Sequence, residues 1–305
     1  MNTWIEMKNL YSRLHSCDVC PRKCKVDRSK HRGVCGAEWN IKISNALLHF
    51  GEEPPIAGKG GSGIIFFSGC PMKCVYCQNF GFSQHMRGVN LSEEELATVM
   101  LELQKAGAEN INLVTASQYL PHVLKSLDIA FKKGLSIPLV WNTSSYESVE
   151  SLKLLDGLID IYLADIRYVE DEVGMRYSKV PDYWSVAKKA LKEMFHQVGA
   201  FNGIKGMIIR ILVFPNRITN HKKALDFIAY ELSKDVPVSI MRQYMPVFRA
   251  KEYPEISRRI TEEEYNEIVE YAENLGLNGW IQTDEPQVVP TKSVKSIYDL
   301  LRSKL

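Results

Sequence analysis

The chain has 305 residues, 45% of them hydrophobic and 24% charged. That composition suits a globular protein with one large domain and a small appendage. A formal net charge of +2 gives no electrostatic case for nucleic acid or an acidic membrane surface as partner. No apolar run approaches bilayer-spanning length. The N-terminal Met1-Asn2-Thr3-Trp4-Ile5-Glu6 lacks the basic-then-apolar pattern of a secretion signal, so a cytoplasmic location is expected.

Taken in order, a short helix is expected over Trp4 to Leu14. It leads into Cys17, Cys20 and Cys24, then a basic stretch from Lys25 to Arg32, then Cys35. These cysteines fall on loops, as in small modules stapled by a metal. Ile41 to Phe50 reads as a strand. Gly58-Lys59-Gly60-Gly61-Ser62-Gly63 matches a dinucleotide fingerprint formally, but that fingerprint needs a strand before it and a helix after it. Here the glycines precede a strand, so they are read as a flexible or tightly turned approach to the cysteine loop beyond that strand.

From Ile64 onward the chain alternates. Strands are expected at 64–68, 111–115, 137–143, 160–165, 207–214 and 236–241, each followed by a helix. Ser92 with Glu95 and Thr261 with Glu264 are capping boxes that open two of those helices. Six largely apolar strands alternating with helices imply a parallel sheet covered on both sides. They fit a partial (β/α)6 TIM-type barrel better than a full barrel of eight. The expected division is therefore 1–50, a four-cysteine metal-binding module and strand, and 51–305, the barrel.

The cysteines carry the chemistry. Seven is an odd number and argues against a complete disulfide framework. Cys17, Cys20, Cys24 and Cys35 account for four, and Cys70, Cys74 and Cys77 for three. Two metal sites in a reducing compartment use them all. Cys70-x3-Cys74-x2-Cys77 follows the first barrel strand directly. Its short spacers let three thiolates converge on three irons of a [4Fe–4S] cubane and leave the fourth iron open to a small ligand. A structural zinc site would want four closed ligands. The N-terminal four do close a coordination sphere, either around zinc or around a second iron–sulfur cluster, and are expected to lie remote from the chemistry of the three.

In such barrels the reacting groups sit at the carboxyl ends of the strands. Candidates there are Thr115 and Ser117 after the second strand, which serve equally well as turn residues, and Asn142 and Thr143 after the third. Asp165 and Arg167 follow the fourth, two apart and so on one face. Arg210 lies within the apolar fifth strand, where a guanidinium needs an anion, either a ligand carboxylate or Asp165 itself. Tyr76 lies inside the cysteine loop, as a ligand contact or a packing aromatic. Gln243, Tyr244 and Met245 close the sixth strand.

The three-cysteine loop is the signature of radical S-adenosylmethionine (SAM) enzymes, in which SAM takes the open iron. Gly58 to Gly63, Phe66-Phe67-Ser68-Gly69-Cys70, Cys74-Val75-Tyr76-Cys77-Gln78-Asn79, Ile161-Tyr162-Leu163-Ala164-Asp165 and Met241-Arg242-Gln243-Tyr244 resemble radical SAM proteins similar to pyruvate formate-lyase activating enzyme. The likeness reaches back to Cys17-x2-Cys20-Pro21-Arg22-x-Cys24. It implies a [4Fe–4S] cluster, SAM, reductive cleavage to a 5′-deoxyadenosyl radical and a low-potential electron donor of flavodoxin or ferredoxin type. It further implies hydrogen abstraction from a glycine of a partner protein. The activases carry a Gly-Gly-Glu segment after the second strand, where this chain has Thr115-Ala116-Ser117-Gln118. Their Asp-x-Lys pair is Asp165-Ile166-Arg167 here. Their alkali-cation site would fall on Asn142, Thr143, Leu163 and Asp165, with Asn142 replacing an acid. These departures keep open a radical SAM enzyme acting on a peptide, a protein residue or a small molecule. A non-catalytic iron–sulfur electron carrier, which would not cleave SAM, is the reading from another class.

Overall fold

The computed structural model describes residues 10–282 and 290–305. Most of the helix expected from Trp4 lies outside them; Leu10 to Ser12 are helical. The described chain forms two compact units, one of residues 10–71, 81–142 and 290–305, the other of 72–80 and 143–282.

In the first unit, β1 (Ile41–His49) largely alternates buried and more open positions, as a strand with one covered face does. It pairs antiparallel with β2 (Ser62–Phe67), β3 (Val89–Leu91) and β10 (Thr291–Ser293). β2, β4 (Ile111–Val114) and β5 (Leu139–Thr143) run parallel. Their residues are almost all buried, which explains the continuous apolar runs. Thr143, the last residue of β5, counts with the second unit. α1 (Glu93–Lys105) starts at the expected capping box: the Ser92 hydroxyl accepts from the Glu95 N–H at 3.2 Å, and the Glu95 carboxylate accepts from the Ser92 N–H at 2.8 Å. Leu96, Val99, Met100 and Leu103 face the core. α2 (Leu120–Lys132) follows β4. α7 (Lys295–Arg302), which lies beyond the expected elements, buries Ile297.

The glycine run is a tight turn. The Glu109 carboxylate accepts from the N–H groups of Lys59 and Gly60 at 3.0 and 2.8 Å. A Cβ on Gly60 would lie 2.0 Å from the Gly107 carbonyl oxygen. The anion at this turn is the protein's own, which agrees with rejecting a dinucleotide site.

The cysteine-rich segment packs on the same unit. The Cys17 N–H donates to the Val26 carbonyl and the Lys25 N–H to the Cys17 carbonyl, both at 2.9 Å. Leu14, Cys17 and Val19 form a small core with Tyr11, Cys24, Val26 and Trp39. The Tyr11 hydroxyl donates to Glu93 at 2.6 Å, and His122 meets the same carboxylate at 2.7 Å.

In the second unit β6 (Ile161–Asp165), β7 (Gly206–Leu212), β8 (Val238–Met241) and β9 (Gly279–Ile281) run parallel in that order. α3 (Asp171–Ser178), α4 (Tyr183–Val198), α5 (His221–Phe227) and α6 (Glu262–Asn274) accompany them. The Thr261–Glu264 capping box forms as expected. The helix expected near 147–155 is a single α turn, Val149–Leu152, followed by a 3-10 turn. All six expected barrel strands are present, three in each unit, in an α/β fold with a parallel sheet. Among the described residues no helix is long and apolar enough to cross a membrane.

Candidate active site

β2 delivers the cysteine loop. Gly69 has φ +82°, and a Cβ there would lie 2.7 Å from the Cys35 carbonyl oxygen, so glycine is required at this close approach. One residue on, the Cys70 N–H donates to that same carbonyl at 3.1 Å. The Arg22 guanidinium donates through Nε to the Pro71 carbonyl at 2.8 Å. The four-cysteine module, expected to be remote, therefore grips the start of the loop. Short polar reach explains the difference: the loop leaves β2 beside the Cys35 backbone, and two unpaired backbone groups find partners there.

Gln118 braces the same place. Its amide nitrogen donates to the carbonyls of Ser68, Gly69 and Thr115 at 3.2, 3.1 and 2.8 Å. Thr115 itself has φ +57°, unusual for a β-branched residue, and its N–H donates to the Asn142 carbonyl at 3.0 Å. Ser117 is buried in the following 3-10 turn.

The rest of the loop belongs to the second unit. The Lys73 N–H donates to the Ser178 carbonyl at 2.8 Å, and the Val75 N–H to the Tyr177 carbonyl at 2.9 Å. The Val75 carbonyl accepts from the Arg249 N–H at 2.8 Å. A chain of hydroxyls ends on sulfur: Tyr76 and Tyr168 are 2.5 Å apart, Tyr168 and Ser178 2.6 Å, and Ser178 donates to the Cys74 Sγ at 3.0 Å. With Ser178 donating to sulfur, Tyr168 donates to Ser178 and Tyr76 to Tyr168. Burial, aided by the charge of Cys74, holds the Tyr76 phenol well above its ordinary range, which keeps that proton in place. The ring of Tyr76 packs edge-on against Phe214 and near Tyr244. Tyr244 donates to the Ile256 carbonyl at 2.7 Å, and the Gln243 carbonyl accepts from Gln78 at 3.0 Å.

Asp165 is the hub of the second unit's strand ends. Arg210 Nε donates to one oxygen at 2.8 Å and Arg167 Nη2 to the other at 2.6 Å. Both oxygens are thus held by the protein's own cations, which argues against giving Asp165 to an alkali ion. Burial opposes the Arg167 charge, but Asp165, with Tyr76 and Cys74, more than offsets it and raises the guanidinium well above its ordinary value. Arg167 Nε is buried without a hydrogen-bond partner. Thr143 donates to Glu147 at 2.7 Å and accepts from the Ser145 N–H at 3.1 Å. Leu163 is fully buried.

Around the N-terminal cysteines, Gly33 lies against two sulfurs. A Cβ there would be 3.2 Å from the Cys35 Sγ and 3.7 Å from the Cys24 Sγ. The Ala37 N–H donates to the Cys35 sulfur at 3.4 Å. Burial pushes the Cys17 thiol up, and the nearby Arg28 guanidinium pulls against it. None of the seven cysteines is in a disulfide. Among the described residues no three His, Cys, Asp or Glu side chains are drawn together into a metal-ion cage. A groove of about 670 Å³ lined by Asp171, Glu172, Met175, Arg176, Lys179, Pro181 and Tyr253 contains none of the candidate residues.

Sequence reasoning missed Arg28, Gln118, Tyr168 and Ser178. Gln118 stood in a segment already singled out. The pairing of Ser178 with Cys74 spans 104 residues and leaves no local signal.

Among solved structures, the chain is similar to anSMEcpe with bound AdoMet, at 15% identity and TM-score 0.49, covering 70% of this chain and 61% of that one. A radical SAM methyltransferase from Sphaerobacter thermophilus matches at 13% identity and TM-score 0.49, over 72% and 66% of the two chains. A domain of pyruvate-formate lyase-activating enzyme from Bacteroides vulgatus matches at 16% identity and TM-score 0.39, over 53% and 92%. An uncharacterised protein of Methanocaldococcus jannaschii is 34% identical over 282 residues, 89% of this chain and 77% of its own. Residues 64–228 match the radical SAM superfamily, whose members are enzymes that use a [4Fe–4S] cluster and SAM. The chain belongs to that superfamily.

Proposed function

We propose that this is a radical SAM enzyme in which Cys70, Cys74 and Cys77 hold the [4Fe–4S] cluster, and that it abstracts hydrogen from a glycine of a partner protein. The observation that carries the first part is the Cys-x3-Cys-x2-Cys loop at the carboxyl end of β2 in a chain of this superfamily. The residues fit the group: the Cys74 sulfur already accepts a hydroxyl hydrogen bond, the kind of outer contact that supports a metal's ligands. When bound, the cluster supplies one electron, received from a low-potential flavodoxin- or ferredoxin-type donor, that splits SAM into methionine and a 5′-deoxyadenosyl radical.

The chain's own residues bind and orient. Asp165 fixes Arg167, whose buried Nε lacks a partner, and this guanidinium is the proposed cation for the SAM carboxylate. Arg210 holds Asp165 from the neighbouring strand. Thr115, Ser117, Asn142 and Tyr76 are the remaining proposed contacts. The buried Tyr76–Tyr168–Ser178 chain keeps water away from the Cys74 sulfur. The four N-terminal cysteines take a second metal, zinc or an iron–sulfur cluster, in a reducing cytoplasm.

The partner glycine rests on the resemblance to the activase-like branch. One observation favours the rival substrate classes, a peptide, another protein residue or a small molecule: the segment Thr115 to Gln118 lacks the activase Glu, and three carbonyls hold the Gln118 amide. Deuterium transfer separates them. Reduced, SAM-loaded enzyme is incubated with extract from cells grown on deuterated glycine, divided into protein and small-molecule fractions. Deuterium in 5′-deoxyadenosine from the protein fraction supports the glycine reading. Label arriving only from the small-molecule fraction contradicts it.

A further inference from the structure

Arg28 is 1% exposed, yet its contacts among the described residues include no carboxylate. One Nη donates to the Gln118 carbonyl, the other to the Glu38 carbonyl, and the Tyr119 ring lies 5.5 Å from the guanidinium carbon. Nε is buried and unpartnered. A buried guanidinium without an anion is costly, and backbone carbonyls supply only partial charge. The cysteines flank it: the Arg28 N–H donates to the carbonyl of Leu14, which packs on Cys17, and its side chain holds the Glu38 carbonyl, next to Ala37, whose N–H meets the Cys35 sulfur. Four thiolates around Zn²⁺ or around an oxidised [4Fe–4S] cluster carry a net double negative charge in either case. The Ala37 N–H on the Cys35 sulfur is a donor of the kind that thiolate ligands accept.

The same residues reach the catalytic loop. Cys35 holds Cys70 through its carbonyl, and Arg22, between Cys20 and Cys24, holds Pro71. Arg28 holds the backbone of Gln118, whose side chain holds Ser68, Gly69 and Thr115. Three connections therefore run from the module to the segment carrying Cys70.

We propose that Cys17, Cys20, Cys24 and Cys35 close around one thiolate-bound metal centre with Arg28 as its internal counter-charge, and that the loaded module fixes the start of the Cys70–Cys77 loop. This rests on reading the four cysteines as a metal site. It adds the positioning roles of Arg28 and Arg22 and the coupling to Cys70. Metal binding and closure of the four thiolates are one coupled event.

The test uses the full chain, anaerobically loaded with ferrous iron and sulfide, with and without zinc(II). Readouts are metal content, resistance of the N-terminal metal to a competing chelator, and the electron paramagnetic resonance (EPR) spectrum of the reduced loop cluster. Arg28→Met is expected to weaken retention of the N-terminal metal about 10–100-fold, as for other residues supporting a metal's ligands, and Arg28→Lys to restore much of it. Retention unchanged in Arg28→Met overturns the counter-charge. Cys20→Ser is expected to lose the N-terminal metal and to broaden and shift the loop cluster's EPR signal. Arg22→Gln is expected to shift that signal while keeping both metals. A Cys20→Ser protein that lacks the N-terminal metal but keeps the wild-type signal overturns the coupling and leaves the metal site standing. Wild-type protein carrying only the loop cluster overturns the metal-site reading itself. If Arg28→Met fails to fold, Arg28→Lys against wild type decides the counter-charge: retention of the N-terminal metal is expected, and a folded Arg28→Lys protein that holds none overturns it.

Discussion

Arg210 and Asp165 stand opposite each other in the register of β7 and β6, and Arg210 Nε reaches the Asp165 carboxylate at 2.8 Å. The internal carboxylate is therefore one partner of the guanidinium inside this apolar strand. Both side chains are largely buried, 14% and 10% exposed, where removing one member of a pair leaves an uncompensated charge.

Arg210→Met should accordingly destabilise the protein. The general cost of breaking a buried pair is about 3–5 kcal/mol. Because Arg167 still holds the other Asp165 oxygen, the lower end is expected. Urea unfolding of the cluster-free protein measures it. Arg167→Met, by contrast, should weaken SAM binding in the protein that remains folded; equal SAM affinity in the two variants would remove Arg167 from the cofactor site.

Ser178→Ala should lower the reduction potential of the loop cluster, because a hydrogen bond to a ligating sulfur stabilises the reduced, more negative state. Redox titration followed by EPR reads this directly. An unchanged potential would mean that the Ser178 hydroxyl does not face the sulfur in the loaded enzyme.

Gln118→Leu removes three donated hydrogen bonds and leaves the carbonyls of Ser68, Gly69 and Thr115 to find other partners. Each unsatisfied buried group costs about 1–3 kcal/mol, though water can relieve some of them. The expected outcome is a lower melting temperature together with reduced cluster loading, measured as iron per chain. Loss of stability with full loading would make Gln118 a brace for the fold alone.

Glu93 gives the acid response. The hydrogen bond from His122, with that from Tyr11 and against burial, holds its carboxyl down at about 2. The folded value lies below the ordinary value near 4.3, so the charged form stabilises the fold above about pH 4.3, and this contribution is lost as pH falls towards about 2. Melting temperatures of wild type and Glu93→Gln should differ at neutral pH and converge over that window. Parallel curves down to pH 2 would show that the charge of Glu93 adds nothing to stability.

Six barrel strands were legible because a strand covered on both faces must be apolar at successive positions, as Ile64, Ile65 and Phe67 show. The two capping boxes were legible because their hydrogen bonds span three residues. β10, exposed at every position, and β9, with no buried residue, carry no such pattern. At the site, the spacing of Cys70, Cys74 and Cys77 and the shared face of Asp165 and Arg167 were local signals. Arg28 was hidden among the basic residues from Lys25 to Arg32, where a buried guanidinium looks like a solvated one. The hold of Cys35 on Cys70 runs through backbone atoms, which no side-chain pattern reports.

SAM cleavage by anaerobically reconstituted protein tests the central claim most directly. With dithionite as electron source, wild type should release 5′-deoxyadenosine and methionine in equal amounts, and Cys74→Ala, lacking one of three cluster ligands, should release none above background. Undiminished cleavage by Cys74→Ala, or none by wild type carrying a full cluster, would contradict the account.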